Sequence, residues 1–188
     1  MNLPLPVAVA IMLSVGALLL VIMWRGWRSL QARSATKVST LADVPAEAEL
    51  GAARTAPIEG TYVSTTTAGD WLDRVAARDL GYRAKAVVQV FDAGVVVARA
   101  GATDLFVPVA DLTGASRTSG MAGKYVGGEG LVVIAWSTLS PTGERTALET
   151  GVRTQRKADR PLLLDAVSAL ASSSPSSPDS RTDIKESE

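Results

Sequence analysis

The run from Val7 to Met23, VAVAIMLSVGALLLVIM, carries no charged side chain, and it limits what the chain can be more than any other stretch. An α-helix rises about 1.5 Å per residue, so about 20 apolar residues cross a hydrocarbon core of about 30 Å. Residues 3–24 supply that length and are expected to form a transmembrane helix. Pro4 and Pro6 fall in its first turn, where a missing N–H costs least. Ser14 is the one polar side chain, and its hydroxyl can bond back to the preceding turn. A buried helix of this length would normally carry a polar stripe. A signal peptide needs a basic start and a small-residue cleavage site, yet no Lys or Arg precedes Val7. The exit, Trp24-Arg25-Gly26-Trp27-Arg28, is bulky and charged, and Ala32-Arg33-Ser34 is a poor and distant cleavage candidate. An uncleaved anchor is the expectation.

Trp24, Arg25, Trp27 and Arg28 are expected at the membrane interface, where indole rings and basic side chains settle. Arg25, Arg28, Arg33 and Lys37 follow the apolar run with no acidic residue before Asp43. The positive-inside rule then places the N-terminus outside and everything after residue 25 in the cytoplasm, at the cell membrane. The same cluster is attracted to anionic headgroups, but serving as a topology signal accounts for it without a regulatory role.

The 188 residues leave room after the anchor for one domain of about 100–120 residues plus tails. The chain has 19 basic and 19 acidic residues, so it shows no nucleic-acid footprint and no nucleic-acid partner is expected. Cys and His are both absent. That removes disulfides, Cys and His nucleophiles and bases, and the usual zinc ligands.

Residues 25–57 read as a juxtamembrane linker. Leu30 and Ala32 sit among helix formers, while 42–56 offers little to bury and is expected to be mobile. The domain is expected over 58–171. A strand is read at Thr61–Thr66 and a short amphipathic helix over Asp70–Leu80, with Trp71, Leu72, Val75 and Leu80 at helical spacing and Gly81 closing it. Ala84–Phe91 and Val95–Arg99 flank Asp92-Ala93-Gly94 as a hairpin. Leu105–Val109 is a strand whose Pro108 argues for an edge, and Leu112–Thr118 a further short one. A glycine-rich loop, 120–130, precedes the strand Leu131–Leu139. Ser140-Pro141-Thr142-Gly143 suits a type I turn, and Thr146–Thr154 returns as the partner. Pro161–Ala171 reads as a helix with Asp159 as N-cap and Leu163, Ala166, Val167 and Leu170 on one face. Residues 172–188, rich in Ser and Pro, are expected to be disordered. About seven strands in meander order need a cover. A partly open barrel of two packed sheets, capped by the last helix, is the economical arrangement.

This order of elements resembles a pleckstrin-homology (PH) fold of the bacterial kind. GDWLDR at 69–74, FVPVADLTG at 106–114, AGK at 122–124, LVVIAW at 131–136 and ETGVR at 149–153 are similar to stretches of an actinobacterial group of single-pass proteins. Members of that group are often labelled membrane, export or transporter proteins. The resemblance implies a membrane-anchored, mainly β protein with a PH-like domain. It carries a gene-neighbourhood association with pyrimidine and arginine precursor synthesis, which is no mechanism.

Candidate chemistry is sparse. Gly123-Lys124 lacks the other residues of a phosphate loop, since Thr118 stands where glycine is needed and Tyr125 where Ser or Thr is needed. Ser34-Ala35-Thr36-Lys37 matches S-x-x-K but lies in the linker. Asp70 with Asp73 suits a helix N-terminus, and Glu144 with Glu149 sits beside a turn. Trp71 and Trp136 read as core aromatics. No catalytic residue, cofactor or metal is expected. Eukaryotic relatives of the fold that this chain resembles bind phosphoinositides through a basic loop between the first two strands. Here that segment holds Arg74, Arg78 and Arg83 against Asp70, Asp73 and Asp79. Arg74, Arg78, Arg83 and Lys124 are therefore the candidate headgroup or partner contacts. The preferred reading is a non-catalytic interaction or scaffold module tethered to the membrane, with the lipid bilayer and an unidentified protein as partners. An accessory subunit of a transport or export complex and an anionic-headgroup binder are the alternatives.

Overall fold

A computed structural model describes residues 5–35, 41–75, 77–125, 130–140 and 143–173. Helix α1, Leu5–Ala35, contains the apolar run, and Ser14 Oγ donates to the Ala10 carbonyl at 2.8 Å, as the isolated hydroxyl requires. Its window Val9–Gly26 is long and apolar enough to cross a membrane, and none of it is covered by the rest of the molecule.

The strands are β1 Ile58–Thr67, β2 Asp70–Arg74, β3 Ala84–Phe91, β4 Gly94–Arg99, β5 Leu105–Pro108, β6 Leu112–Thr118, β7 Gly120–Met121, β8 Lys124–Tyr125, β9 Leu131–Leu139 and β10 Arg145–Thr154. Helix α2, Asp159–Ser173, ends the described chain. Eight strands form one antiparallel sheet in the order β5-β4-β3-β1-β10-β9-β6, with β2 beside the far half of β1. The expected arrangement had two packed sheets. The sheet is instead continuous, because β1 pairs with both β3 and β10 and so joins the two halves. A register shift between Tyr62 and Ser64 marks the point where β1 leaves β3. The outer strands β5 and β6 do not pair with each other, so the sheet stays open, and Pro108 ends the edge strand β5.

Alternation along the strands aims Ile58, Val88, Val90, Val95, Val97, Leu105, Val107, Ile134, Leu148 and Val152 into one core. Helix α2 packs mainly on β6 and β9 and also reaches β3. It adds Leu163, Val167 and Leu170, each at most 1 % exposed, which is the apolar face read from the sequence. Val63, Met121, Leu131 and Val133 make a second, smaller cluster.

Three local readings are corrected. Residues 70–80 are not a helix: β2 runs antiparallel to β1, and a 3-10 turn follows at Ala77–Asp79. The pairing of β3 covers only Ile58–Tyr62 of β1, so the farther half needs another partner, and Asp70–Arg74 supplies it. Asp70 Oδ1 accepts from the Leu72 and Asp73 amides, which makes a turn rather than a helix start. Second, the segment 41–57 lies along the sheet. Ala42 bridges to Phe106 and Ala53 to Phe91, and Leu50 is buried. The Arg54 amide donates to the Val90 carbonyl, and the Arg54 side chain pairs with Asp92 at 2.8 Å. Thr55 Oγ1 accepts from the Val90 amide and Gln89 donates to the Thr55 carbonyl, so the holding is done mostly by backbone and polar groups, which composition does not mark. Third, the glycine-rich stretch contains the β7–β8 hairpin, where Ala122 and Gly123 both have positive φ, as a tight two-residue turn demands. Of the 140–143 turn, the Gly143 amide bonds to the Ser140 carbonyl; Pro141 and Thr142 lie outside the described residues, as does most of the 172–188 tail.

Candidate functional site

A polar chain crosses the core where β1, β9 and β10 meet. Trp136 Nε1 donates to Thr150 Oγ1 at 2.9 Å. Thr150 and Thr65 hydroxyls are 2.7 Å apart, as are Thr65 and Tyr62 hydroxyls, and Tyr62 donates to the Leu80 carbonyl at 2.7 Å. Trp136 can only donate and the carbonyl can only accept, so every proton has one direction: Trp136 to Thr150, Thr150 to Thr65, Thr65 to Tyr62, Tyr62 to Leu80. Burial pushes the Tyr62 phenol up to about 12, against the opposing pull of the Thr65 hydrogen bond and the Arg99 charge. The four residues are at most 2 % exposed.

Arg99 lies over the Tyr62 ring, 4.8 Å from its centre, and is itself buried. Its guanidinium donates to the carbonyls of Thr103, Asp79 and Arg78 at 2.7, 2.9 and 3.3 Å. Arg78 and Asp79 both have positive φ, a conformation that costs a non-glycine residue free energy, and Arg99 holds the turn that requires it. This is a structural clamp, and its charge is satisfied by carbonyls.

The accessible site is on the outer face of β10, β1, β3 and β4, where a groove of about 890 Å³ opens to solvent. Register places Arg153, Thr61 and Lys85 side by side across β10, β1 and β3, with Ala100 next in the row. Gln155, Glu59, Val87 and Ala98 form the adjacent row. Arg83 stands at the rim, and Arg99 and Asp104 close one end. Four basic and two acidic side chains line the groove, in a chain whose net charge is zero. The side chains of Arg83, Lys85 and Arg153 have no ion-pair or hydrogen-bond partner among the described residues. Gly60 lets β1 lie close to β10 beneath the groove: a Cβ there would come within 2.6 Å of the Arg153 carbonyl oxygen.

The structure separates the four cations singled out from the sequence. Arg83 is in the groove. Arg74, on β2, donates to the Ala122 carbonyl at 3.2 Å and so ties β2 to the β7–β8 turn. Arg78 contributes its carbonyl to Arg99. Lys124 is in β8, but its side chain lies outside the described residues. Trp24 and Arg25 are exposed at the end of the apolar window; Trp27 and Arg28 are in α1 with side chains outside the described residues. Lys85, Arg99 and Arg153 were missed by sequence reasoning. The alternation in AKAVVQVF marks Lys85 as outward-facing, but nothing local brings Arg153 beside it.

An antiparallel sheet of this strand order, covered by a C-terminal helix that packs on β6, β9 and β3, defines a PH-like fold. The chain belongs to the bacterial PH domain-like family, whose model matches residues 38–168. The match begins 20 residues ahead of Ile58 and so takes in the strap 41–57. No curated protein matches the chain.

Proposed function

We propose that the protein is a non-catalytic interaction or scaffold module, held by α1 at the cell membrane with its PH-like domain on the cytoplasmic side. The observation that carries this reading is the division of apolar surface. The domain buries its own core with α2, while the Val9–Gly26 window of α1 is left wholly uncovered. An uncovered apolar helix of this length needs a bilayer. The domain's polar side chains favour a structural role as well: Tyr62, Thr65, Thr150, Trp136 and Arg99 satisfy one another or backbone carbonyls. Arg74 is engaged by the Ala122 carbonyl, which leaves the segment after β1 without a basic bowl for a phosphoinositide headgroup. Arg25, Arg28, Arg33 and Lys37 follow the apolar run and support the N-out, C-in orientation.

The test is membrane sedimentation of the full chain combined with reporter fusions after Glu188. A reporter active only in the cytoplasm should give signal, and the chain should resist extraction by carbonate. Activity of a reporter that works only outside the cytoplasm would reverse the orientation, and a freely soluble chain would remove the tether. Replacing Arg25, Arg28 and Arg33 together by Gln should give mixed orientations.

A further inference from the structure

We propose that the groove on the outer face of β10, β1, β3 and β4 takes an acidic, extended peptide segment of a partner protein, held by Arg83, Lys85 and Arg153. This rests on the reading of the domain as an interaction module and names the chemistry of what it binds. Three features converge. Arg153 and Lys85 flank Thr61 in one cross-strand row, which puts two cations on either side of an uncharged floor. Neighbouring strands are about 4.8 Å apart, so the pair spans about 10 Å, a gap that carboxylates on one extended chain can bridge. No described side chain supplies an anion to any of the three, so their donors are left for an outside ligand.

The shape favours a peptide over a membrane surface. A second hollow, lined by Pro57, Glu59, Val87, Gln155 and Arg156, shares three of those residues with the first and lengthens the groove along the strands. The floor of the first hollow carries the small side chains Thr61, Ala98 and Ala100 beside Val87, which is 38 % exposed, and this suits the stems of an extended chain. The uncharged floor between Arg153 and Lys85 can seat an extended backbone, which a flat headgroup layer does not supply. Glu59, in the row beside the cations, would accept hydrogen bonds from a peptide's backbone amides, donors that a phosphatidylglycerol surface lacks.

The probe is a blocked decapeptide of alternating Glu and Val, titrated into the isotope-labelled full chain in non-ionic detergent, with its Gln/Val counterpart as control. The acidic peptide should move the amide signals of Thr61, Lys85, Ala100 and Arg153, and binding should weaken as salt is raised. Replacing Arg83, Lys85 and Arg153 together by Gln should weaken binding about tenfold or more, with the amide spectrum otherwise unchanged. Equal response to the Gln peptide, unaltered affinity in the triple variant, or shifts confined to other residues would overturn the proposal. So would vesicles rich in phosphatidylglycerol moving these signals when the peptide does not, because the groove would then be a lipid site. A negative titration with a membrane partner still retained by the triple variant removes the groove and leaves the module; absence of any retained partner removes both.

Discussion

Thr150→Val tests the direction of the buried hydroxyl chain. Thr150 accepts from Trp136 Nε1 and donates to Thr65, and it is fully buried. Valine keeps the shape and deletes both functions. The indole N–H then faces a methyl group with no other acceptor, and Thr65 loses the donor to its oxygen. A stranded buried donor costs about 1–3 kcal/mol, and the weakened acceptor adds about 1 kcal/mol, so the loss should be about 2–4 kcal/mol. Tyr62→Phe should cost less, about 1–2 kcal/mol, because the Leu80 carbonyl still accepts the Thr65 amide at 2.8 Å. Thr150→Ser keeps the hydroxyl and should lose about 1 kcal/mol, the value of a buried methyl. The assay is urea unfolding of the full chain in non-ionic detergent, followed by circular dichroism, with an unchanged m-value as the check that only stability moved. The control is a double-mutant cycle. In a Trp136→Phe background no indole N–H remains to strand, and the Thr150→Val cost should fall by at least about 1 kcal/mol. Equal costs for the Val and Ser replacements, or additive energies in the cycle, would refute the chain of donors.

Val167→Asp should cost at least about 3 kcal/mol in the same assay, since it puts a carboxylate into a fully buried site on α2. Leu162→Asp, on a side chain 60 % exposed, should change stability by no more than about 0.5 kcal/mol, and similar effects for the two would mean that α2 is not docked. The Tyr62 phenol lies near 12 when folded and near 10 when unfolded. Its stabilisation is therefore complete below pH 10 and is lost as pH rises toward 12, at roughly 1 kcal/mol per pH unit, and Tyr62→Phe should flatten that slope in alkaline unfolding curves. Asp92 accepts from Arg54 and from the Ala52 amide, and both bonds hold its carboxyl below the usual carboxylate range. Asp92→Asn should speed hydrogen exchange at Ala52 while leaving the β3–β4 core amides protected; unchanged exchange would mean that the strap is held by its backbone bonds alone.

The features legible in the sequence were those encoded locally. An uncharged apolar run needs no neighbour to make it a long helix. Alternation in AKAVVQVF and VVVAR around Asp92-Ala93-Gly94 specified β3, β4 and their turn, because a hairpin joins residues already close in the chain. The run LVVIAWSTL matched β9 residue for residue, and the spacing of Leu163, Val167 and Leu170 specified the buried face of α2. The helix read over 70–80 failed for the opposite reason. Its apolar spacing was compatible with a helix, but the unpaired half of β1 offered hydrogen bonds that only a strand could use.

The groove, the hydroxyl chain and the Arg99 clamp belong to tertiary structure alone. Arg153 and Lys85 meet because β1 pairs with β10 on one side and β3 on the other, and a register one residue different would have turned both cations inward. Thr65 and Thr150 look like ordinary strand residues until the fold removes water from both and leaves each as the other's partner. The strap at 41–57 was invisible for the same reason: its bonds are made by backbone groups, Thr55, Gln89 and Asp92, which no composition marks. The sequence by itself determined the long apolar helix that the domain does not cover, the β3–β4 hairpin, β9 and the buried face of α2. The pairing of distant strands decided where charge collects, because hydrogen-bond register acts between segments that are far apart along the chain.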